Sequence, residues 1–220
     1  MYQPSAFRLD DCAAQLELIH HFPLATMVHV VAGVARAEHV PLFHERDATA
    51  LGRLQGHVAR ANPLWREASG KVLAVFQAAS HYITPSWYPS KAEHGAVVPT
   101  WNYTVVHATG TPRWREDPVW LRDLVDRQVA RFEAAQPGPI GAQLAQQPWR
   151  VSDAPADYVA KQLRAIVGLE IELTSIEGKA KLSQNRTKED RAGVVAGLGE
   201  QGTPAAHDMA ARIQAASDPA

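Results

Sequence analysis

Lys71-Val72-Leu73-Ala74-Val75-Phe76-Gln77-Ala78-Ala79-Ser80-His81-Tyr82-Ile83 decides how the chain is read. It holds neither proline nor glycine, and Val72, Leu73, Val75 and Phe76 make a near-continuous apolar run. Such a run predicts a strand buried over much of its length. Towards the N-terminus, residues 51–58 predict another strand, and residues 24–31 and 34–43 predict a hairpin turning at Ala32-Gly33. Towards the C-terminus, residues 85–99 carry three prolines and a glycine and read as a loop. Residues 98–107 and 109–115 read as an antiparallel pair turning near Gly110. Residues 166–176 form a final strand, with Leu169, Ile171 and Leu173 alternating.

Helices fit between these strands. Asp10 or Asp11 caps a short one that Pro23 ends. Asn62-Pro63 starts another that runs through Ala68, and Asp117-Pro118 repeats the cap-then-proline signal. The helix after Pro118 puts Leu121, Leu124, Val125, Val129 and Phe132 on one face. Residues 154–163 and 186–198 are also expected to be helical, residues 136–147 to be a Pro/Gly/Gln loop, and residues 201–220 a tail that frays or forms a loose helix. Strands dominate the centre and connections are mostly short, so the class is α+β with antiparallel pairing.

The chain has 220 residues, 46% hydrophobic and 20% charged, which is enough for a real core. A formal net charge of -1 argues against a strongly basic nucleic-acid binder. Cys12 is the single cysteine and forms no internal disulfide. Neither a signal peptide nor a membrane span is visible, so a soluble, cytoplasmic protein is expected, with no membrane partner.

Chemistry concentrates in the middle. Trp65, Trp87, Trp101, Trp114 and Trp120 lie there, and between Gly56 and Arg115 six Lys/Arg face two Asp/Glu. Indoles mixed with cations and amides suit a flat, phosphorylated ligand, although buried tryptophans more often only fill a core or an interface. Gly56-His57-Val58-Ala59-Arg60-Ala61-Asn62-Pro63 places a glycine and two potential cations where a strand meets a helix start, a junction that suits phosphate. Other patterns are absent: no cysteine pair or His-Glu-x-x-His for zinc, no Gly-x-Ser-x-Gly elbow, no phosphate loop and no helix-turn-helix.

Eight pieces in order carry a resemblance. They are Met1-Tyr2-x-Pro4 with Phe7; Ala37-Glu38-His39-Val40-Pro41; the segment from Gly56 to Pro63; Pro85-Ser86-Trp87-Tyr88; Val98-Pro99-Thr100-Trp101-Asn102-Tyr103; Ser152-Asp153-Ala154-Pro155; Ile166-Val167-Gly168; and Lys181-Leu182-Ser183-Gln184-Asn185. Over about residues 1–200 the chain resembles the PaiB-type family of FMN-binding negative transcriptional regulators. The resemblance implies one FMN-binding domain over residues 1–200. Its fold would be a six-stranded antiparallel Greek-key split β-barrel with flanking helices. It also implies a homodimer with the flavin at the subunit interface. Three departures from the family pattern stand out: Glu38 replaces a serine, Ala78-Ala79 replaces Gly-Pro, and Ala180 replaces an aromatic. A carboxylate at position 38 would repel a nearby phosphate unless it turned away.

Joined to the residue chemistry, the resemblance implies a cofactor site. His57 and Arg60, with Gly56 at the same corner, would hold the phosphate. His39 would line the cofactor edge, Trp87, Trp101 and Asn102 would wall the ring, and Lys91, Lys181 and Gln184 would close the rim. The family points to a flavin-linked regulator, with DNA as a candidate partner. A flavin-dependent oxidoreductase and a haem-binding or degenerate barrel are the other readings.

Overall fold

A computed structural model describes residues 1–47, 49–68, 70–134 and 148–216. In chain order the elements are β1 (Arg8–Leu9), α1 (Cys12–His21), β2 (Leu24–Val31), β3 (Val34–Pro41), β4 (Phe43–Glu45), β5 (Arg53–Ala59), α2 (Leu64–Glu67), β6 (Val72–Ile83), α3 (Ser90–His94), β7 (Thr100–Arg115), α4 (Pro118–Ala134), α5 (Ala156–Arg164), β8 (Ile166–Lys181), α6 (Lys188–Gln201) and α7 (Pro204–Ala215). The class is α+β with an antiparallel sheet. The sheet order is β3-β2-β6-β7-β8-β5-β4, and β1 adds to β8. Among the described residues there are eight strands where six were expected; β1 and β4, the additional pair, have only two and three residues.

The strand signals of the apolar runs hold, and glycine explains the main errors. β7 is one strand of 16 residues, not a pair turning at Gly110. A Cβ at Gly110 would lie 2.3 Å from the Glu172 carbonyl oxygen, so the glycine permits close strand approach instead of a turn. Likewise β8 continues to Lys181, past the expected end at residue 176, because Gly178 lets it pair with Leu9. The segment 85–99 is not all loop: Pro85–Trp87 is a 3-10 turn capped by Thr84, and α3 follows it. The expected loop at 136–147 lies outside the described residues.

The chain divides into two compact units. Unit 1 holds Met1–Ala25, Ala74–Ala108 and Ser175–Ala220. Its core includes Ile83, Tyr88, Leu182, Val194, Leu198, Met209 and Ile213. A tail that frays or forms a loose helix was expected over residues 201–220; α7 lies within it as a packed helix that Thr203 caps, with Ala206, Met209 and Ile213 fully buried. In α6, Gly193 and Gly197 lie four residues apart and so share a face. A Cβ at Gly197 would sit 2.4 Å from the Trp87 indole, and one at Gly193 would sit 2.0 Å from the Trp87 carbonyl oxygen. The two glycines form a flat seat for the turn that carries Trp87.

Unit 2 holds Thr26–Leu73 and Thr109–Thr174. β5 pairs with β8 from Arg53↔Glu172 to Ala59↔Ile166, and buries Leu54, Val58, Val167, Leu169 and Ile171. Gly168 makes room for Trp120, whose ring would be 2.2 Å from a Cβ there. Glu170 is a buried carboxylate that accepts from Arg53 at 2.9 Å, Arg115 at 2.6 Å and Gln55 at 2.9 Å. Burial pushes its pKa up, but these three donors together hold it below the usual value.

Candidate functional site

The expected site residues separate into two sets. His39, Gly56, His57 and Arg60 belong to unit 2, whereas Trp87, Lys91, Trp101, Asn102, Lys181 and Gln184 belong to unit 1.

In unit 2, the junction of β5 with α2 is internally satisfied. Arg60 donates through Nε to the Arg164 carbonyl at 2.8 Å and through NH2 to the Ile166 carbonyl at 3.1 Å, and its NH1 pairs with Glu116. Its own carbonyl accepts from Trp65 Nε1 at 2.9 Å. His57 bonds through Nδ1 to Gln128 Oε1 at 2.9 Å. Burial lowers the His57 pKa, and the hydrogen bond only partly opposes this. A buried imidazole whose charged form is disfavoured and a guanidinium already paired with a carboxylate are poor phosphate holders. Gly56 gives way to chain, not ligand: a Cβ there would lie 2.6 Å from the Pro41 carbonyl. His39 is exposed on β3. The phosphate reading of this corner therefore has no supporting geometry within unit 2.

In unit 1, two of the expected residues, Asn102 and Lys181, line a recess. A cavity of about 230 Å³ is lined by Phe7, Val98, Pro99, Thr100, Asn102, Lys181, Ser183, Asn185 and Arg186. Side chains alternate along a strand, so Thr100, Asn102 and Thr104 share one face of β7. Asn102 is fully buried. It donates through Nδ2 to Ser183 Oγ at 2.9 Å, while its Oδ1 has no partner. Thr104 Oγ1 is also buried and unpaired. Lys181 Nζ donates to Thr100 Oγ1, and its ammonium lies 6.0 Å from the centre of the Phe7 ring. The Arg186 guanidinium lies over the Tyr88 ring at 4.7 Å.

The remaining expected residues shape this unit without lining the recess. Trp87 rests on the glycine seat of α6. Trp101 is 55% exposed and meets Tyr82 edge-on at 6.0 Å. Lys91 reaches Ser86 Oγ at 3.3 Å. Gln184 braces the end of β8, donating to the Ala180 carbonyl at 2.6 Å and accepting from the Leu182 N–H at 2.7 Å. That brace spans Ser183, which has a left-handed φ of 63°. Ala180 belongs to the apolar cluster, so its small side chain is a matter of packing.

Arg186 and Ser183 were not read as site residues from the sequence. The signal was present in two forms: the period-two polar face of Thr100, Asn102 and Thr104, and the contiguous run from Lys181 to Arg186. Neither form shows which two segments meet.

Two cations, amide and hydroxyl groups and apolar surface surround the recess, and among the described residues no carboxylate lines it, a set that fits a phosphorylated planar ring. Residues 1–175 match the family described as "Putative FMN-binding domain", and the chain belongs to that family. FMN is the cofactor that this membership assigns. The protein named Protease synthase and sporulation protein PAI 2 of Bacillus subtilis is 30% identical over 213 residues, covering 96% of this chain and 95% of that one. An uncharacterized protein of Emericella nidulans, AN0679, is 30% identical over 217 residues, covering 86% of each. The PaiB-type resemblance read from the motifs therefore holds.

Two solved structures share the fold. The FAD and heme binding protein of Mycobacterium smegmatis superposes with a TM-score of 0.56 at 16% identity, over 84% of this chain and 78% of that one. The flavocytochrome Anf3 of Azotobacter vinelandii gives 0.51 at 15% identity, over 84% and 74%. No helix among the described residues is long and apolar enough to cross a membrane.

Proposed function

We propose that this protein is a flavin-linked regulator of the PaiB type that holds FMN and works as a homodimer. The observation that carries the reading is the unit 1 cavity, which Lys181, Arg186 and Asn102 line together with no carboxylate among the described residues. When bound, FMN would supply redox chemistry or a redox-dependent signal. Asn102, Lys181 and Arg186 would orient it, while Phe7, Val98 and Pro99 would keep water from it.

Two further observations support the regulatory reading. The Bacillus relative is named for protease synthase and sporulation, not for a reaction. Among the described residues the cavity is lined by no carboxylate or imidazole, the groups most used for general acid or base work. The homodimer draws support from Trp101 and Tyr82, an aromatic pair that is half exposed, as at surfaces a second copy covers. DNA, the other partner the resemblance implies, draws no support from a formal net charge of -1.

The test is an absorption spectrum of the purified protein, followed by release and identification of the chromophore. Flavin bands, FMN on release and no steady bleaching by NAD(P)H are expected. A colourless protein that takes up no added FMN would contradict the reading. Rapid catalytic bleaching would favour an oxidoreductase instead.

A further inference from the structure

Unit 2 carries a second recess, which the flavin reading does not use. Its volume is about 460 Å³, inside the ~300–1,000 Å³ of pockets that enclose small molecules. One wall is α4, where Arg122, Asp126 and Val129 follow at intervals of four and three residues and so share a face. The other wall is the chain from Trp149 to Val151, which leads into a 3-10 turn packed beside α4. Both walls belong to unit 2.

The lining joins an accessible aromatic surface to a spare positive charge. Trp149 lines the recess yet stays 46% exposed, and Val129 and Val151 add aliphatic surface. Arg122 donates through Nε to Asp126 Oδ2 at 2.7 Å, so these two charges answer each other. Arg150 is exposed and has no ion pair among the described residues. Asp153, the nearest carboxylate in sequence, accepts instead from the Arg150 backbone N–H at 2.8 Å. Two guanidiniums against one carboxylate leave the lining one net positive charge, which matches a monoanion better than a phosphate dianion. A carboxylate meets the planar fork of an arginine with two parallel N–H bonds. Trp149 and Arg150 are chain neighbours, with Cα atoms about 3.8 Å apart, so one flat ligand can touch both. We propose that this recess binds a small aromatic carboxylate, its ring against the Trp149 indole and its carboxylate on Arg150. This site stands apart from the flavin reading, and neither needs the other.

The experiment follows the six indole N–H signals of isotope-labelled, full-length protein by NMR. Trp149→Phe identifies the Trp149 signal by its loss, while the remaining signals check that the fold is kept. Titration with 2-naphthoate should shift the Trp149 signal to saturation. The neutral 2-naphthamide should bind about tenfold more weakly, the loss expected of one charge-assisted hydrogen bond. Arg150→Gln should weaken 2-naphthoate by the same factor and leave 2-naphthamide unchanged. A Trp149 signal that does not move with 2-naphthoate would overturn the assignment. So would equal affinities for the acid and the amide, or an Arg150→Gln variant that binds 2-naphthoate like the wild type. Competition between FMN and 2-naphthoate for the Trp149 signal would also overturn it, by giving the recess to the flavin. Protein that takes up FMN but no 2-naphthoate sinks this inference alone, whereas protein that binds 2-naphthoate but no flavin sinks only the functional reading.

Discussion

His57 is a half-buried imidazole bonded to the buried amide of Gln128, and burial lowers its pKa below the ordinary histidine value. His107 is shifted the same way, first by burial and then by the N-terminal ammonium. In the unfolded chain both rings take up a proton below about pH 6.5. The folded chain resists that uptake, so the unfolded state binds more protons and stability falls as the pH drops from about 6.5 towards the lowered folded value. Urea unfolding of His57→Gln, which keeps an amide at this position, should show a shallower loss of stability below pH 6.5 than wild type. It should not become flat, because His107 remains. Identical pH profiles would show that His57 titrates as it does in the unfolded chain. At this scale the sequence made residue types legible but not their partners. His57 and Arg60 were read as free cations because Gln128, Glu116 and the carbonyls of Arg164 and Ile166 are more than fifty residues away in sequence. Asn102 and Lys181 were legible in their motifs, and only folding brings Ser183 to the first and Thr100 to the second.

Among the elements, strands with apolar runs were easy to read, and glycines were hard. Gly110 has the composition of a turn, yet its role is to let β7 pass the Glu172 carbonyl. A single sequence does not distinguish a glycine that bends the chain from one that admits a neighbour. The same difficulty hid the seat on α6. That seat makes a prediction at the element scale. Gly197→Val forces a branched side chain into the Trp87 indole and should destabilise the protein by about 1–3 kcal/mol, with a change in tryptophan emission. Gly199→Ala is the matched control. Nothing lies within 4 Å of a Cβ there, so added helix propensity should stabilise by about 0.5–1 kcal/mol. Equal denaturation midpoints for the two variants would refute the seat. At the C-terminus a frayed tail or loose helix was expected, and the packing of α7 was not legible. Residues 204–215 are mostly small, and their burial comes from Ala206, Met209 and Ile213 meeting a core cluster that composition does not reveal.

For the whole molecule, the α+β class and the family were legible because eight short motifs occur in order along the chain. The allocation of site residues was not, because it depends on which segments fold into which unit. Cations of the Gly56–Pro63 stretch lie in unit 2 and serve its own carbonyls and carboxylates; those of the 181–186 run lie in unit 1 and face a recess. Flavin held from the unit 1 recess is the proposal on which the functional reading stands. An FMN titration of Lys181→Met beside Arg60→Ala, with thermal unfolding of both, tests it. Lys181→Met should lower FMN affinity about tenfold or more, while Arg60→Ala should keep its affinity and lose about 1–2 kcal/mol of stability from its broken carbonyl bonds. Unchanged FMN binding in Lys181→Met, with a collapse of binding in Arg60→Ala, would contradict it.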